Sequence, residues 1–107
     1  MLTQLSRREW QRFFARVSAA LAARTVSIDC SGLDEDLPGD WIDLLAVSYE
    51  AGSGELALLL DSERRVVRHP GQVHVHLDED LLHSMELVDA EGRREFVVLR
   101  RPLQLRP

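Results

Sequence analysis

Leu5-Ser6-Arg7-Arg8-Glu9-Trp10-Gln11-Arg12-Phe13-Phe14-Ala15-Arg16-Val17-Ser18-Ala19-Ala20-Leu21 is the stretch on which the reading of the fold turns. Trp10, Phe13, Phe14, Val17 and Leu21 recur at helical spacing, so all five fall on one stripe of an α-helix. Ser6 and Glu9 form an S-x-x-E capping box, in which side chains satisfy backbone N–H groups that a helix start leaves orphaned. Leu5 and Trp10 stand where a hydrophobic staple belongs. Arg8, Arg12 and Arg16, at steps of four, take the opposite face, and Ala19, Ala20, Ala22 and Ala23 carry the helix toward Arg24. The pattern predicts an amphipathic helix over residues 6–24.

Downstream of the helix the period changes from 3.6 to 2. Val26, Ile28 and Cys30 alternate with polar residues, as in a half-buried strand. Residues 31–40 hold Gly32, Pro38 and Gly39 among acids and read as a loop. Leu44 to Glu50 and Glu55 to Asp61 are apolar runs joined by Ala51-Gly52-Ser53-Gly54, a hairpin signal. Ser62 to Arg65 reads as a turn and Val66 to His69 as a short strand. Pro70-Gly71 is expected to break the chain, because Pro lacks a ladder donor and Gly tolerates positive φ. Val73, Val75 and Leu77 alternate with His74 and His76. Asp78 to His83 reads as a loop or one helical turn. Met85 to Val88 and Glu95 to Arg100 pair around Asp89-Ala90-Glu91-Gly92, and Pro102 is expected to end regular structure.

One apolar helix stripe must be buried, and an antiparallel sheet with one apolar face is the available surface. The expected fold is therefore α+β. One N-terminal helix packs on a meander antiparallel sheet, or small barrel, of six to seven strands. At 107 residues the chain fits a single domain over residues 1–107.

Composition narrows the function classes. Hydrophobic residues make up 45% and charged residues 29% of the chain, which is globular rather than disordered. All basic residues are Arg, with neither Lys nor Asn present; we read this as the coding bias of a GC-rich bacterium. The net charge of −5 is uneven: +4 over residues 1–24, −10 over 25–63 and +1 over 64–107. A net-acidic domain is a poor general binder of nucleic acid, whose affinity rests on neutralising phosphates. No apolar run approaches the roughly 20 residues a bilayer crossing needs. The polar start of the chain lacks a secretory pattern. The single Cys30 forms no internal disulfide. A cytoplasmic protein without membrane contact is expected.

Chemistry-bearing motifs are sparse. His74 and His76, at i and i+2 of a strand, point the same way and could share a metal ion, with His69 or His83 as a third ligand if the fold brings one near. The plainer reading puts both on the solvent face while Val73, Val75 and Leu77 face the core. Asp34-Glu35-Asp36, with Asp40 and Asp43, lacks the spacing of a helix–loop–helix calcium site and reads as a solvated loop. Cys30 is expected to pack as a small hydrophobe. No P-loop, dinucleotide fingerprint, Ser-nucleophile elbow or H-E-x-x-H motif occurs, so no enzyme and no cofactor is expected.

The chain resembles a family of short bacterial proteins catalogued as domain of unknown function fifty-three thirty-five. The matching pieces are Leu5 to Trp10 with Phe13-Phe14, Leu44 to Tyr49, His69-Pro70 with Val73, and Met85 to Gly92 followed by Phe96 to Arg100. The resemblance implies a compact helix-plus-sheet domain from a bacterial cytoplasm and brings no functional residues with it.

The expected function is a non-enzymatic protein-interaction module able to self-associate as a homodimer or to hold a protein partner. Leu44, Leu56, Leu58 and Leu59 motivate it. With Leu45 and Leu60 they put apolar residues on both faces of one hairpin, and a single helix covers only one. The alternative is a small-ligand or metal-binding regulatory domain centred on His74 and His76.

Overall fold

The computed structural model describes residues 2–31, 41–61 and 63–105. Helix α1 runs Arg7–Ala23 between Ser6 as N-cap and Arg24 as C-cap, as the stripe requires. The Ser6 backbone N–H (3.2 Å) and hydroxyl (2.7 Å) both donate to the Glu9 carboxylate. The hydroxyl first, and the backbone bond second, hold that carboxyl below its ordinary pKa. The staple is also present: Leu5 and Trp10 are both buried, and the indole N–H donates to the Leu5 carbonyl at 3.3 Å. Trp10, Phe13, Phe14, Val17 and Leu21 are the buried residues of the helix.

The strands are β1 (Leu2–Leu5), β2 (Val26–Ser31), β3 (Ile42–Glu50), β4 (Glu55–Leu60), β5 (Arg64–Arg68), β6 (Pro70–Asp78), β7 (Leu81–Asp89) and β8 (Arg94–Gln104). They form one antiparallel sheet of eight strands in the order β1-β6-β7-β8-β2-β3-β4-β5. The α+β expectation holds, with corrections to count and order. Two meanders, β2 to β5 and β6 to β8, are joined where β8 pairs β2, and β1 adds an eighth strand beside β6.

The sheet is strongly curled. Arg65 on β5 reaches Glu95 on β8 at 3.0 Å, although β2, β3 and β4 lie between them in the order. In a flat sheet, four strand spacings of about 4.8 Å would hold them roughly 19 Å apart. Among the described residues β1 and β5 are not hydrogen-bonded to each other, so the sheet stays open and the barrel alternative falls away. Helix α1 lies on the concave side, chiefly against β3, where Trp10 meets Tyr49 edge-on at 5.2 Å. The Ser18 hydroxyl binds both backbone groups of Val47, donating to its carbonyl and accepting its N–H at 2.8 Å. Val26, Ile28, Leu44, Leu56, Leu58, Val73, Val75, Met85, Leu87 and Val97 complete the core under it.

One residue, His69, returns the chain from the last strand in the sheet order to the second. Its φ of 52° is the left-handed region, uncommon for a side-chain-bearing residue but tolerated better by His than by most. Its N–H donates to Gly54 O (3.1 Å), and its carbonyl accepts the Ala90 N–H (2.8 Å). The turns of the β3–β4 and β7–β8 hairpins are thereby fastened to the β5–β6 corner. The break expected at Pro70-Gly71 sits one residue earlier: Pro70 opens β6, a strand position that needs no donor, and Gly71 falls in a register shift. Asp78 to His83 is a tight turn at Glu79-Asp80 leading straight into β7. Pro102 does not end the strand. It lies in a wide irregularity, between Val98 and Leu103 of β8, where His83 alone stands opposite on β7. A missing N–H is tolerated at such a bulge. The side chain of Cys30 and the acids Asp34, Glu35, Asp36 and Asp40 lie outside the described residues.

A β-branched side chain at left-handed φ is strained, so His69→Val is expected to cost about 1–3 kcal/mol, whereas His69→Asn should melt close to wild type. Equal losses in chemical denaturation would show that the corner is not limited by φ.

Candidate functional site

The hairpin leucines divide by strand parity. Leu44, Leu56 and Leu58 are fully buried on the concave face, which removes them as contact residues. Leu59 points the other way and is 45% exposed. It stands opposite Ala46 on β3 and Arg64 on β5, while Val66 stands opposite Ala57. A register shift between Leu44 and Ala46 leaves Leu45 exposed beside them. The convex face of β3, β4 and β5 thus carries Leu45, Leu59 and Val66 in the open. Phe96 and Val98 are exposed on β8 of the same sheet. Sequence reading missed these last two, although their alternation with Val97 and Leu99 marks them as outward.

Charges frame the β3–β5 patch. Arg64 and Arg68 border it on the β5 side, and Arg68 approaches Glu55 at 3.7 Å. Asp43, which accepts the Ser27 hydroxyl at 2.8 Å, and exposed Asp61 lie at the β4–β5 turn end of the patch, near Arg64.

His74 and His76 make different contacts. His74 Nε2 lies 3.0 Å from the Gln72 side-chain oxygen, whereas the His76 ring lies 5.1 Å from that of His83. His69 is at the corner described above. Among the described residues no three His, Cys, Asp or Glu side chains converge on a common metal position. The helix arginines are partly committed: Arg16 donates to Leu105 O (3.2 Å). Arg7 donates to Pro70 O (3.3 Å) and sits 4.8 Å over the Trp10 ring.

A second feature lies where the curl brings β5 against the β7–β8 hairpin. Val67, His69, Leu87, Asp89, Arg93 and Glu95 are among the residues lining a cleft of about 500 Å³ there. Glu95 is only 2% exposed. Its Oε1 accepts from Arg65 Nη1 at 3.0 Å, and Oε2 is buried with no hydrogen-bond partner among the described residues. Arg65 also approaches Glu63 at 3.7 Å. Both charges occupy core-facing positions, Arg65 opposite Leu58 and Glu95 opposite Leu87. Sequence reading passed over the pair. Its one local signal is that Glu95 keeps step with Val97 and Leu99.

A model of a family of unknown function, DUF5335, matches residues 1–107, the whole chain. The chain belongs to this family. No curated protein matches it, and no solved structure does. Membership in DUF5335, a family of unknown function, assigns no role to any residue. No helix is long and apolar enough to cross a membrane.

Removing one partner of a buried ion pair strands the other charge. Arg65→Met is therefore expected to destabilise the fold by about 3–5 kcal/mol. The double change Arg65→Met with Glu95→Leu should recover much of that loss. A single variant as stable as wild type in urea would show that the pair is solvated.

Proposed function

We propose that this DUF5335 domain is a non-enzymatic interaction module that associates with a second copy of itself through the convex face of β3, β4 and β5. The observation that carries this reading is the open exposure of Leu45, Leu59 and Val66 on the sheet face α1 does not cover. Contiguous exposed apolar surface marks interaction sites more often than chance.

A two-fold contact uses the same patch on both subunits, so its rim must complement itself. This rim carries both signs, Arg64 with Asp61 and Asp43 near the β4–β5 turn and Arg68 with Glu55 at the far end, so a two-fold turn can bring unlike charges together. Pairing through the β5 edge itself is less favourable, because Arg64, Arg65 and Arg68 would face like charges, a device that blocks edge-to-edge association. The alternative centred on His74 and His76 gains a contact between His76 and His83, yet it finds no third ligand among the described residues and ranks below.

Light scattering on a size-exclusion column is expected to show a dimer, and Leu59→Glu, at an exposed position, is expected to yield a folded monomer. A wild-type monomer up to about 100 μM, or an equally dimeric Leu59→Glu, would contradict the reading.

A further inference from the structure

We infer that the cleft between β5 and the β7–β8 hairpin is a binding site for a small apolar α-amino acid. This goes beyond the self-association reading and centres on Glu95, although Val66 and Arg68 of the convex patch also border the cleft. The starting point is Glu95. A buried carboxylate oxygen without a donor is costly, and Glu95 Oε2 is such an atom on a residue that lines the cleft. The group that completes it must be a hydrogen-bond donor, and a charged N–H makes the stronger bond to a carboxylate. Arg65 already takes Oε1, so the remaining oxygen suits an ammonium from a ligand.

The walls supply what the rest of such a ligand needs. Val67 and Leu87 give an apolar surface, and both are buried members of the core. Arg68 and Arg93 stand at the rim, where among the described residues they make exposed ion pairs with Glu55 (3.7 Å) and Glu91 (3.1 Å). Exposed pairs of that kind are weak, so either guanidinium can turn to a ligand carboxylate. The Asp89 side chain, by contrast, is occupied in its own turn, accepting the N–H groups of Glu91 and Arg93 at 2.9 Å. The lining holds two cations, Arg68 and Arg93, and three anions, Asp89, Glu91 and Glu95, and Arg65, outside the lining, offsets the charge of Glu95. A neutral zwitterion fits that balance better than a net cation or anion. The volume of about 500 Å³ falls in the range of small-molecule sites and leaves room for an aliphatic or aromatic side chain.

The test is a set of amide-resolved NMR titrations of the full chain with leucine, isoleucine, methionine and phenylalanine, each taken to about 10 mM. At least one is expected to shift amides of Val67, Leu87, His69 and Glu95 in a saturable way. The deaminated analogue 4-methylpentanoate and the decarboxylated analogue 3-methylbutylamine should each bind more weakly than leucine. Glu95→Gln keeps an acceptor for Arg65 but offers an amide where the ammonium would sit. It should weaken binding by about tenfold or more, the factor carried by a charge-assisted hydrogen bond. Arg93→Ala, at an exposed position that leaves the fold intact, should also weaken binding. No saturable shift with any of the four amino acids overturns the inference. So does equal binding of 4-methylpentanoate, or undiminished binding by both variants. The oligomeric state of Leu59→Glu bears only on the convex face, so either reading can fail without the other.

Discussion

Burial of one helix stripe in the trough of a curled sheet is the interaction on which the rest of this structure depends. Trp10, Phe13, Phe14, Val17 and Leu21 need a continuous apolar surface, and no single hairpin of this chain provides one. Curling lets β1, β6, β7 and β8 face β3 and β4 across the helix, so side chains from every strand enter one cluster around it. The capping box and the staple fix where the helix starts, and Ser18 fixes its height over β3 by taking both polar groups of Val47. The consequence for function follows directly. With one helix and one trough, no described element covers the convex side of the sheet.

The curl has its own fasteners, and these create the second candidate site. His69 turns β5 into β6 in a single residue and ties two hairpin turns to that corner. The approach of β5 to the β7–β8 hairpin then brings Arg65 to Glu95 in a place where only apolar residues would be expected. A buried ion pair is seldom retained for stability alone, since apolar replacements of similar size often do as well or better. A carboxylate with one oxygen bound and one left over makes more sense as half of a recognition site than as a structural strut.

Much of this was legible in the sequence because it is local. The helix limits, its buried stripe, the hairpins at residues 51–54 and 89–92, and the inward valines of β6 all follow from period and turn chemistry. What escaped is set by distant partners. Leu2–Leu5 has no strand pattern and is a strand because Val73 to His76 lies beside it. Pro102 looks like a terminator, yet β8 passes through it in an irregular stretch where β8 itself carries the extra residues. The strand order rests on a corner at His69, a residue type that rarely announces a turn. The site was less legible still. Parity placed Leu59 outside and Leu44, Leu56 and Leu58 inside only once the register was known. Glu95 could be suspected from its phase with Val97 and Leu99, but Arg65, thirty residues earlier, gives no sign of being its partner.

Residue-resolved amide hydrogen exchange tests the central claim most directly, because it distinguishes an open, curled sheet held from within by one helix from a closed barrel. The slowest exchange is expected in α1 around Phe14 and Val17 and in the interior strands β3, β8 and β7. Amides on the unpaired sides of β1 and β5 should exchange far sooner, as edge groups without a strand partner do. Protection along both outer edges equal to that of β8, or a helix that exchanges before the sheet does, would contradict the claim.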